Sequence, residues 1–169
     1  MRQFYPELTE KFRIWFEGSK GFDENGKPQV FYHKSRTKDK FEIFEHGLGE
    51  KNDYNDCFGF YFVADYHKPH AEYIGLGLGY YVYLSMKNPF YIYDDGKGKD
   101  GSIKDQNGKV YFPLDITKQF CQDVQENGFD SIIIICYMYY NQYIVFNSDQ
   151  IKSVDNNGEY SKEILNIFE

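Results

Sequence analysis

Hydrophobic positions along this chain follow two different periods, which predict helices in some stretches and strands in others. Residues 7–16 and 113–127 carry apolar side chains every three or four positions, and a glycine follows soon after each stretch. We therefore expect two amphipathic helices there. Residues 163–168 are expected to add one last turn of helix.

Runs of aromatic and aliphatic residues predict short strands that are separated by turns. We expect strands at residues 29–33, 80–86, 102–104, 110–112, 132–139 and 142–146. Asn25 and Asn107 each precede a glycine, a pair that is typical of tight type I′ hairpin turns. Strands and helices do not alternate regularly, so the order of elements favours the α+β class over a doubly wound sheet.

Residues 37–57 show neither period and are charged and dotted with glycine. A segment of this length without secondary structure is uncommon inside a domain and often covers a functional site. We therefore expect a loop with a function.

Length and composition limit the kind of protein. The chain has 169 residues, of which 41% are hydrophobic, so residues 1–169 are expected to form a single domain. A net charge of −7 and only three arginines disfavour a nucleic acid partner, because phosphates are held by basic residues. Three widely spaced cysteines suit a reducing compartment. No stretch approaches the roughly 20 apolar residues that span a bilayer, so we expect a soluble, cytoplasmic protein without a membrane partner.

Aromatic residues make up 20% of the chain, almost all of them tyrosine and phenylalanine. Such side chains bury large areas and have flat faces, so they can build either a core or a stacking cleft. Most of them must belong to the core, and only a few are candidates for binding.

Three separated segments carry a recognisable pattern. They are Phe31-Tyr32-His33, then Gly59-Phe60-Tyr61-Phe62 with Tyr73 twelve residues after Tyr61, then Asn141-Gln142-Tyr143-Ile144-Val145-Phe146. In this order they resemble the His-Tyr-Glu signature of the ADP-ribosyltransferase fold, as in poly(ADP-ribose) polymerases and diphtheria-toxin-like enzymes. Gln142 stands at the glutamate position. Further segments, spread in order over nearly the whole chain, resemble a phage and prokaryotic subfamily that is found in polyvalent proteins.

The resemblance implies a fold and a reaction. The fold would be a split antiparallel β-sandwich with flanking helices, and NAD would lie in the cleft between the sheets. The reaction would break the bond between nicotinamide and ribose through an oxocarbenium-like transition state. The protein would therefore have to hold the nicotinamide, orient the ribose and stabilise positive charge.

The resemblance also implies roles for five binding residues. His33 would bond the adenosine-side ribose, and the main chain of Lys34 would hold the nicotinamide carboxamide. Tyr61 and Tyr73 would stack on the two faces of the nicotinamide ring. His70 stands where relatives often have a serine, and its imidazole could still donate a hydrogen bond to the carboxamide.

Three positions bear on the activity of the chain, on its acceptor and on its affinity for NAD. Gln142 would bond the ribose 2′-hydroxyl as the catalytic glutamate does, but it lacks the negative charge, and such a loss typically costs about 10²-fold to 10³-fold in rate. This glutamine is either the natural residue of a weak or altered transferase or a deliberate Glu-to-Gln change in a toxic enzyme. Tyr140, two residues earlier, is neither Gln nor Glu, so the pattern of arginine-modifying toxins is absent and the acceptor stays open. Lys34 replaces a glycine of the relatives and adds a cation beside a cationic ring, which would weaken NAD binding.

Three functions remain after these observations. We favour an NAD-dependent mono-ADP-ribosyltransferase of the toxin or phage effector type, which would act in the cytoplasm or be delivered into that of a host. Its acceptor would be a protein rather than nucleic acid, and an antitoxin or immunity protein is a further candidate partner. The alternatives are an NAD-binding pseudoenzyme or interaction module, and an NAD glycohydrolase. No metal is expected, since His67 and His70 lack matching ligands at diagnostic spacing.

Overall fold

Nine strands and three short α-helices make up the fold, which we describe from a computed structural model for residues 9–46, 59–72, 77–94, 102–111, 118–137 and 140–169. The helices are α1 (Glu10–Phe16), α2 (Lys68–Ala71) and α3 (Lys118–Glu126). The strands are β1 (Phe31–Lys34), β2 (Phe60–Ala64), β3 (Gly79–Leu84), β4 (Pro89–Asp94), β5 (Ile103–Asp105), β6 (Val110–Tyr111), β7 (Ser131–Cys136), β8 (Gln142–Val145) and β9 (Ile151–Ser153). Two 3₁₀ turns, Asp65–His67 and Ser148–Gln150, complete the described elements.

The strands form one open mixed sheet in the order β6-β5-β4-β7-β8-β2-β1-β3-β9. This confirms the α+β class. Within the described residues, β4 and β7 form the one parallel pair, a departure from a purely antiparallel arrangement. A parallel pair needs a crossover connection, and the chain between these strands passes through the β5-β6 hairpin and helix α3.

Both faces of the β4-β7-β8 region are buried, so these strands are apolar at successive positions. Ile133 and Val145 belong to one core cluster, whereas Ile132 and Ile144 belong to a second cluster on the opposite face. Helix α3 contributes Cys121 to the second cluster. A continuous apolar run is what a strand covered on both faces requires, and the predicted strand at 132–139 corresponds to β7.

Helix α1 confirms the first predicted helix over its described residues. The hydroxyl of Thr9 accepts a hydrogen bond from the backbone N–H of Phe12 at 3.1 Å and so caps the helix. Phe12 and Trp15 are buried against Tyr83 and Tyr160. The second predicted helix is confirmed at α3, and its earlier part, residues 113–117, lies outside the described residues.

The two Asn-Gly turns differ from the expected type I′ geometry. In each loop only the glycine has positive φ, 75° at Gly26 and 82° at Gly108, whereas type I′ needs positive φ at both central residues. Instead, the carboxylates of Asp23 and Asp105 each accept two backbone N–H groups, two and four residues further on. The second loop joins β5 to β6. The first loop is flanked by a single isolated bridge, between Phe22 and Pro28, and not by two strands.

The predicted helical turn at residues 163–168 is wrong. Carbonyl groups of this segment turn towards the ammonium of Lys152, which donates to Asn166 at 3.0 Å and Glu169 at 2.8 Å, and to Ile164. Lys152 is fully buried, and burial lowers its pKa to about 8. The three acceptors therefore find a charged donor at neutral pH. In a helical turn the carbonyl of Ile164 would instead accept the backbone N–H of Phe168, which here donates to the side-chain oxygen of Asn166 at 2.9 Å.

Replacing Lys152 with methionine should destabilise the fold by about 3 kcal/mol, because three carbonyls then lose a charged donor while the volume is kept. Urea unfolding followed by circular dichroism measures the change. Lys162, exposed in the same segment, provides the control, and Lys162→Met should stay within about 0.5 kcal/mol of the original chain. Equal midpoints for both variants would contradict the anchoring role of Lys152.

Candidate functional site

A cavity of about 680 Å³ opens between β1, β2 and the loop at residues 36–46, which we call the cavity loop. Its volume lies within the range of about 300–1,000 Å³ that is usual for small-molecule sites. Four of the predicted site residues line it: His33, Lys34, Tyr61 and Gln142.

The cavity forms because β1 and β2 pair with each other over only two residues of each strand. Phe31 pairs with Ala64 and Tyr32 with Val63, and there the ladder ends. Earlier residues of β2 pair with β8 instead, so β2 is a seam between two parts of the sheet. The freed end of β1 and the first residues of β2 become walls of a cleft.

His33 bridges this seam with its side chain. Its Nδ1 lies 2.8 Å from the carbonyl oxygen of Tyr61, and because a carbonyl only accepts, Nδ1 carries the proton. The imidazole packs against the rings of Phe44 and Phe62, with centroids 5.1 and 5.4 Å away. Burial lowers the pKa of His33, and the bond to Tyr61 opposes this only in part. A neutral ring leaves Nε2 as a hydrogen-bond acceptor.

Gly59 explains why the motif before Tyr61 begins with glycine. Its φ is +142°, a conformation that side chains rarely adopt, and a Cβ there would lie 2.7 Å from the carbonyl oxygen of Val145. The close approach of β8 to the start of β2 therefore depends on this residue.

The cavity loop is fixed to the sheet by aromatic side chains. Phe41 stacks on Tyr80 with centroids 4.3 Å apart, and His46 stacks on Phe60 at 4.4 Å. The Nε2 of His46 also lies 2.7 Å from the carbonyl oxygen of Phe146. Residues 37–46 form no helix or strand, as predicted for this loop, and residues 47–57 lie outside the described residues.

Residues 163–169, which we call the C-terminal segment, contact the cavity loop and support it. The backbone N–H of Ile167 donates to the carbonyl oxygen of Glu42 at 2.8 Å, and the ammonium of Lys40 lies 4.1 Å from the ring centroid of Phe168. Since Lys152 holds this same segment, the buried lysine supports one wall of the cavity indirectly.

Gln142 begins β8 and is partly exposed at the cavity. Before it, the side-chain oxygen of Asn141 accepts the backbone N–H of Cys136 at 3.1 Å, which fixes the connection between β7 and β8. The carboxylates in the described lining, Asp39 and Glu45, belong to the cavity loop. Glu45 lies beside His46, which is held at Phe146, the far end of β8 from Gln142. Gln142 is the residue of β8 that the described lining includes, and it contributes a neutral amide.

Tyr61 lines the cavity, and its main chain takes part in the site directly. Its carbonyl bonds His33, while its ring packs against the cluster that helix α3 covers, near Cys121. Burial raises the pKa of the Tyr61 hydroxyl far above its usual value. The ring is partly buried, so part of its surface is already used by the protein itself.

The side chain of Lys34 turns to an acid that the sequence pattern did not single out. Its ammonium lies 2.7 Å from Glu72, and the other carboxylate oxygen of Glu72 accepts the hydroxyl of Tyr32 at 2.6 Å. The sequence signal that could have pointed to Glu72 is its position directly before Tyr73. Tyr73 itself lies outside the described residues, and His70 belongs to α2 without a described side chain.

The described residues hold neither a metal-binding cluster nor a membrane-spanning helix. No group of three His, Cys, Asp or Glu side chains in this part of the chain could hold a metal ion. None of the described helices combines the length and the apolar character needed to cross a bilayer.

Comparison with known families identifies one match. A family profile described as ADP-ribosyltransferase in polyvalent proteins matches residues 23–160. This range includes every strand from β1 to β9 and all four cavity residues named above. No curated protein matches the chain significantly. No solved structure does so either.

The state of His33 predicts how stability depends on pH. Its pKa is lower in the fold than in the unfolded chain, so unfolding takes up a proton as the pH falls below about 6.5. The free energy of unfolding should therefore fall from pH 7.5 to pH 5, and it should fall less in His33→Gln. His46→Gln, which keeps His33, should retain the loss. Equal pH dependence in the original chain and His33→Gln, measured by urea unfolding, would contradict the buried neutral imidazole.

Proposed function

This chain belongs to the family of ADP-ribosyltransferases in polyvalent proteins, and from that premise we propose that it binds NAD in the cavity and transfers one ADP-ribose group to a protein. Enzymes of this class generally use NAD as their substrate. The finer parts of the proposal, which are the cavity as NAD site, the single transfer and the protein acceptor, rest on the arguments below.

The observation that carries the proposal is that His33 and Gln142, from two separate parts of the chain, line one cavity beside the seam of the sheet. The free Nε2 of the neutral His33 suits a ribose hydroxyl, which can donate a hydrogen bond to it. The partly exposed amide of Gln142 can bond a second hydroxyl. A dinucleotide with two riboses offers both groups.

The reaction would then proceed by loss of nicotinamide. The bond between the ring nitrogen and the ribose carbon breaks, its electron pair leaves with nicotinamide, and positive charge develops on the ribose. A nucleophilic group of the acceptor forms the new bond to that carbon and releases its proton. Tyr61 and Tyr73 would hold the nicotinamide by stacking, and the main chain of Lys34 and the side chain of His70 would bond its carboxamide.

Gln142 makes this proposed activity weak. An amide orients the ribose through a hydrogen bond, but it supplies no negative charge to the developing cation, and preorganised charge is usually the largest catalytic contribution. The carboxylates of the described lining, Asp39 and Glu45, belong to the cavity loop and not to the strand that carries Gln142. The same observation favours an NAD-binding pseudoenzyme or interaction module as the second candidate, while an NAD glycohydrolase would use water as the acceptor.

The biological setting of the proposal follows from the family rather than from the cavity. We place the protein among toxins or phage effectors that act in the cytoplasm, including that of a host cell. An antitoxin or immunity protein would be the partner of such an effector. The net charge of −7 supports a protein acceptor over nucleic acid.

Substitution of Tyr73 tests the stacking part of the site. Tyr73→Ala should remove stacking worth about 1 kcal/mol, so its affinity for NAD should fall about fivefold. Isothermal titration calorimetry measures both proteins. Tyr137, which is 78% exposed, provides the control, and Tyr137→Ala should bind NAD as the original chain does. Equal affinity in Tyr73→Ala would remove Tyr73 from the site.

Substitution of Gln142 tests the catalytic part. Gln142→Glu should raise nicotinamide release by about 10²-fold or more, because a carboxylate stabilises the charge that develops only in the transition state. NAD affinity should hardly change. The release is measured with NAD and a cell lysate that supplies acceptors, and mass spectrometry of labelled products then identifies the modified residue.

The matched control is Asn141→Asp, which adds the same charge one residue away and keeps the oxygen that Cys136 bonds. It should leave nicotinamide release unchanged. If Gln142→Glu also leaves the release unchanged while NAD still binds, then the pseudoenzyme replaces the transferase as the proposed function.

A further inference from the structure

One ion pair lies directly beside the proposed substrate cavity. Lys34, which lines the cavity next to His33, places its ammonium 2.7 Å from a carboxylate oxygen of Glu72. The lysine side chain is only 15% exposed and the glutamate side chain is 39% exposed. The pair is therefore partly shielded from solvent on the lysine side, where salt and water weaken it least.

Glu72 is held by more than the lysine. Its second oxygen accepts the hydroxyl of Tyr32 at 2.6 Å, and the ammonium of Lys68 lies 3.7 Å away. The Lys34 ammonium and the Tyr32 hydroxyl hold the pKa of the Glu72 carboxyl below its usual value. Lys68 in turn donates to the hydroxyl of Tyr81 at 2.8 Å. The carboxylate thus joins β1, β3 and the end of α2 in one charged network.

The position of Glu72 in the chain gives this network a second consequence. The backbone N–H of Glu72 closes the last turn of α2 by donating to the carbonyl oxygen of Lys68 at 3.0 Å. Tyr73, the proposed stacking residue, follows directly. The residue that ends α2 is therefore tied to β1 beside His33.

A lysine at position 34 would weaken the binding of a nicotinamide ring unless a nearby negative charge balanced its own charge. The ring of NAD carries a positive charge, and two like charges within a few ångströms repel each other strongly in a partly buried site. With Glu72 in place, the ammonium is neutralised and its side chain is directed to the carboxylate. The main chain of Lys34 then remains available to a ligand.

We propose that Glu72 is a positioning residue for NAD, which balances the charge of Lys34 beside the cavity and directs its side chain away from the ligand. This inference rests on the proposed function, because it assigns the nicotinamide end of the substrate to this side of the cavity. The inference links the two residues, because Lys34 is compatible with a cationic ring only when Glu72 is present.

The test compares two ligands that differ only in the cationic ring. Glu72→Gln keeps hydrogen-bonding oxygen and nitrogen but removes the charge, so NAD affinity should fall about five- to tenfold, the change expected from an uncompensated like charge near the ring. ADP-ribose has no nicotinamide, and its affinity should stay within about twofold. Calorimetry with both ligands gives the four dissociation constants.

A double variant separates charge from structure. Lys34→Gln combined with Glu72→Gln removes both charges and should restore NAD affinity to within about twofold of the original chain. The control is Glu159→Gln, which breaks the exposed ion pair of Lys11 and Glu159 and should change neither affinity. Circular dichroism and melting temperature are recorded for every variant.

The outcomes distinguish the inference from the function on which it rests. If Glu72→Gln weakens NAD and ADP-ribose equally, or if the double variant restores nothing, then Glu72 has only a structural role and the inference is overturned while NAD binding stands. If the original chain binds neither ligand, then the proposed function fails and the inference fails with it.

Discussion

The site depends on one constraint, which is that β1 and β2 stay paired for only two residues. Beyond Tyr32 the backbone groups of the two strands no longer pair with each other, and a seam opens inside the sheet. Buried backbone groups need partners, and the imidazole of His33 supplies one by donating to the carbonyl oxygen of Tyr61. Burial keeps the histidine neutral, and the same bond fixes the proton on Nδ1 and leaves Nε2 as an acceptor for a ligand, so the bond that satisfies the split also prepares the site.

The walls of the cavity are supported from a distance. The cavity loop is fastened by Phe41 and His46 to the sheet and by backbone bonding to the C-terminal segment, which the buried Lys152 holds through three carbonyl groups. A loop of this kind has few backbone bonds of its own and would open readily without such anchors. Stability of the C-terminal segment and shape of the cavity are therefore coupled.

Charge is arranged at the two sides of the site in opposite ways. At Gln142 a neutral amide occupies the position where a carboxylate would favour the reaction, so binding and turnover are separated there. At Lys34 an added cation is balanced by Glu72, so a residue that would disfavour the substrate becomes compatible with it. Under the proposed function, these two features would make the chain better suited to holding a dinucleotide than to cleaving it.

The sequence alone determined what depends on local chemistry. The apolar periods gave helices α1 and α3 and the strand β7, the ordered motifs gave the family, and four motif residues line one cavity. Tertiary contacts decided the rest. The predicted helical turn at 163–168 is absent because the carbonyl of Ile164, which such a turn would use, bonds Lys152 instead. Glu72 became part of the site only through a contact between β1 and α2. Such pairings join residues that are distant in sequence, and no local pattern encodes them.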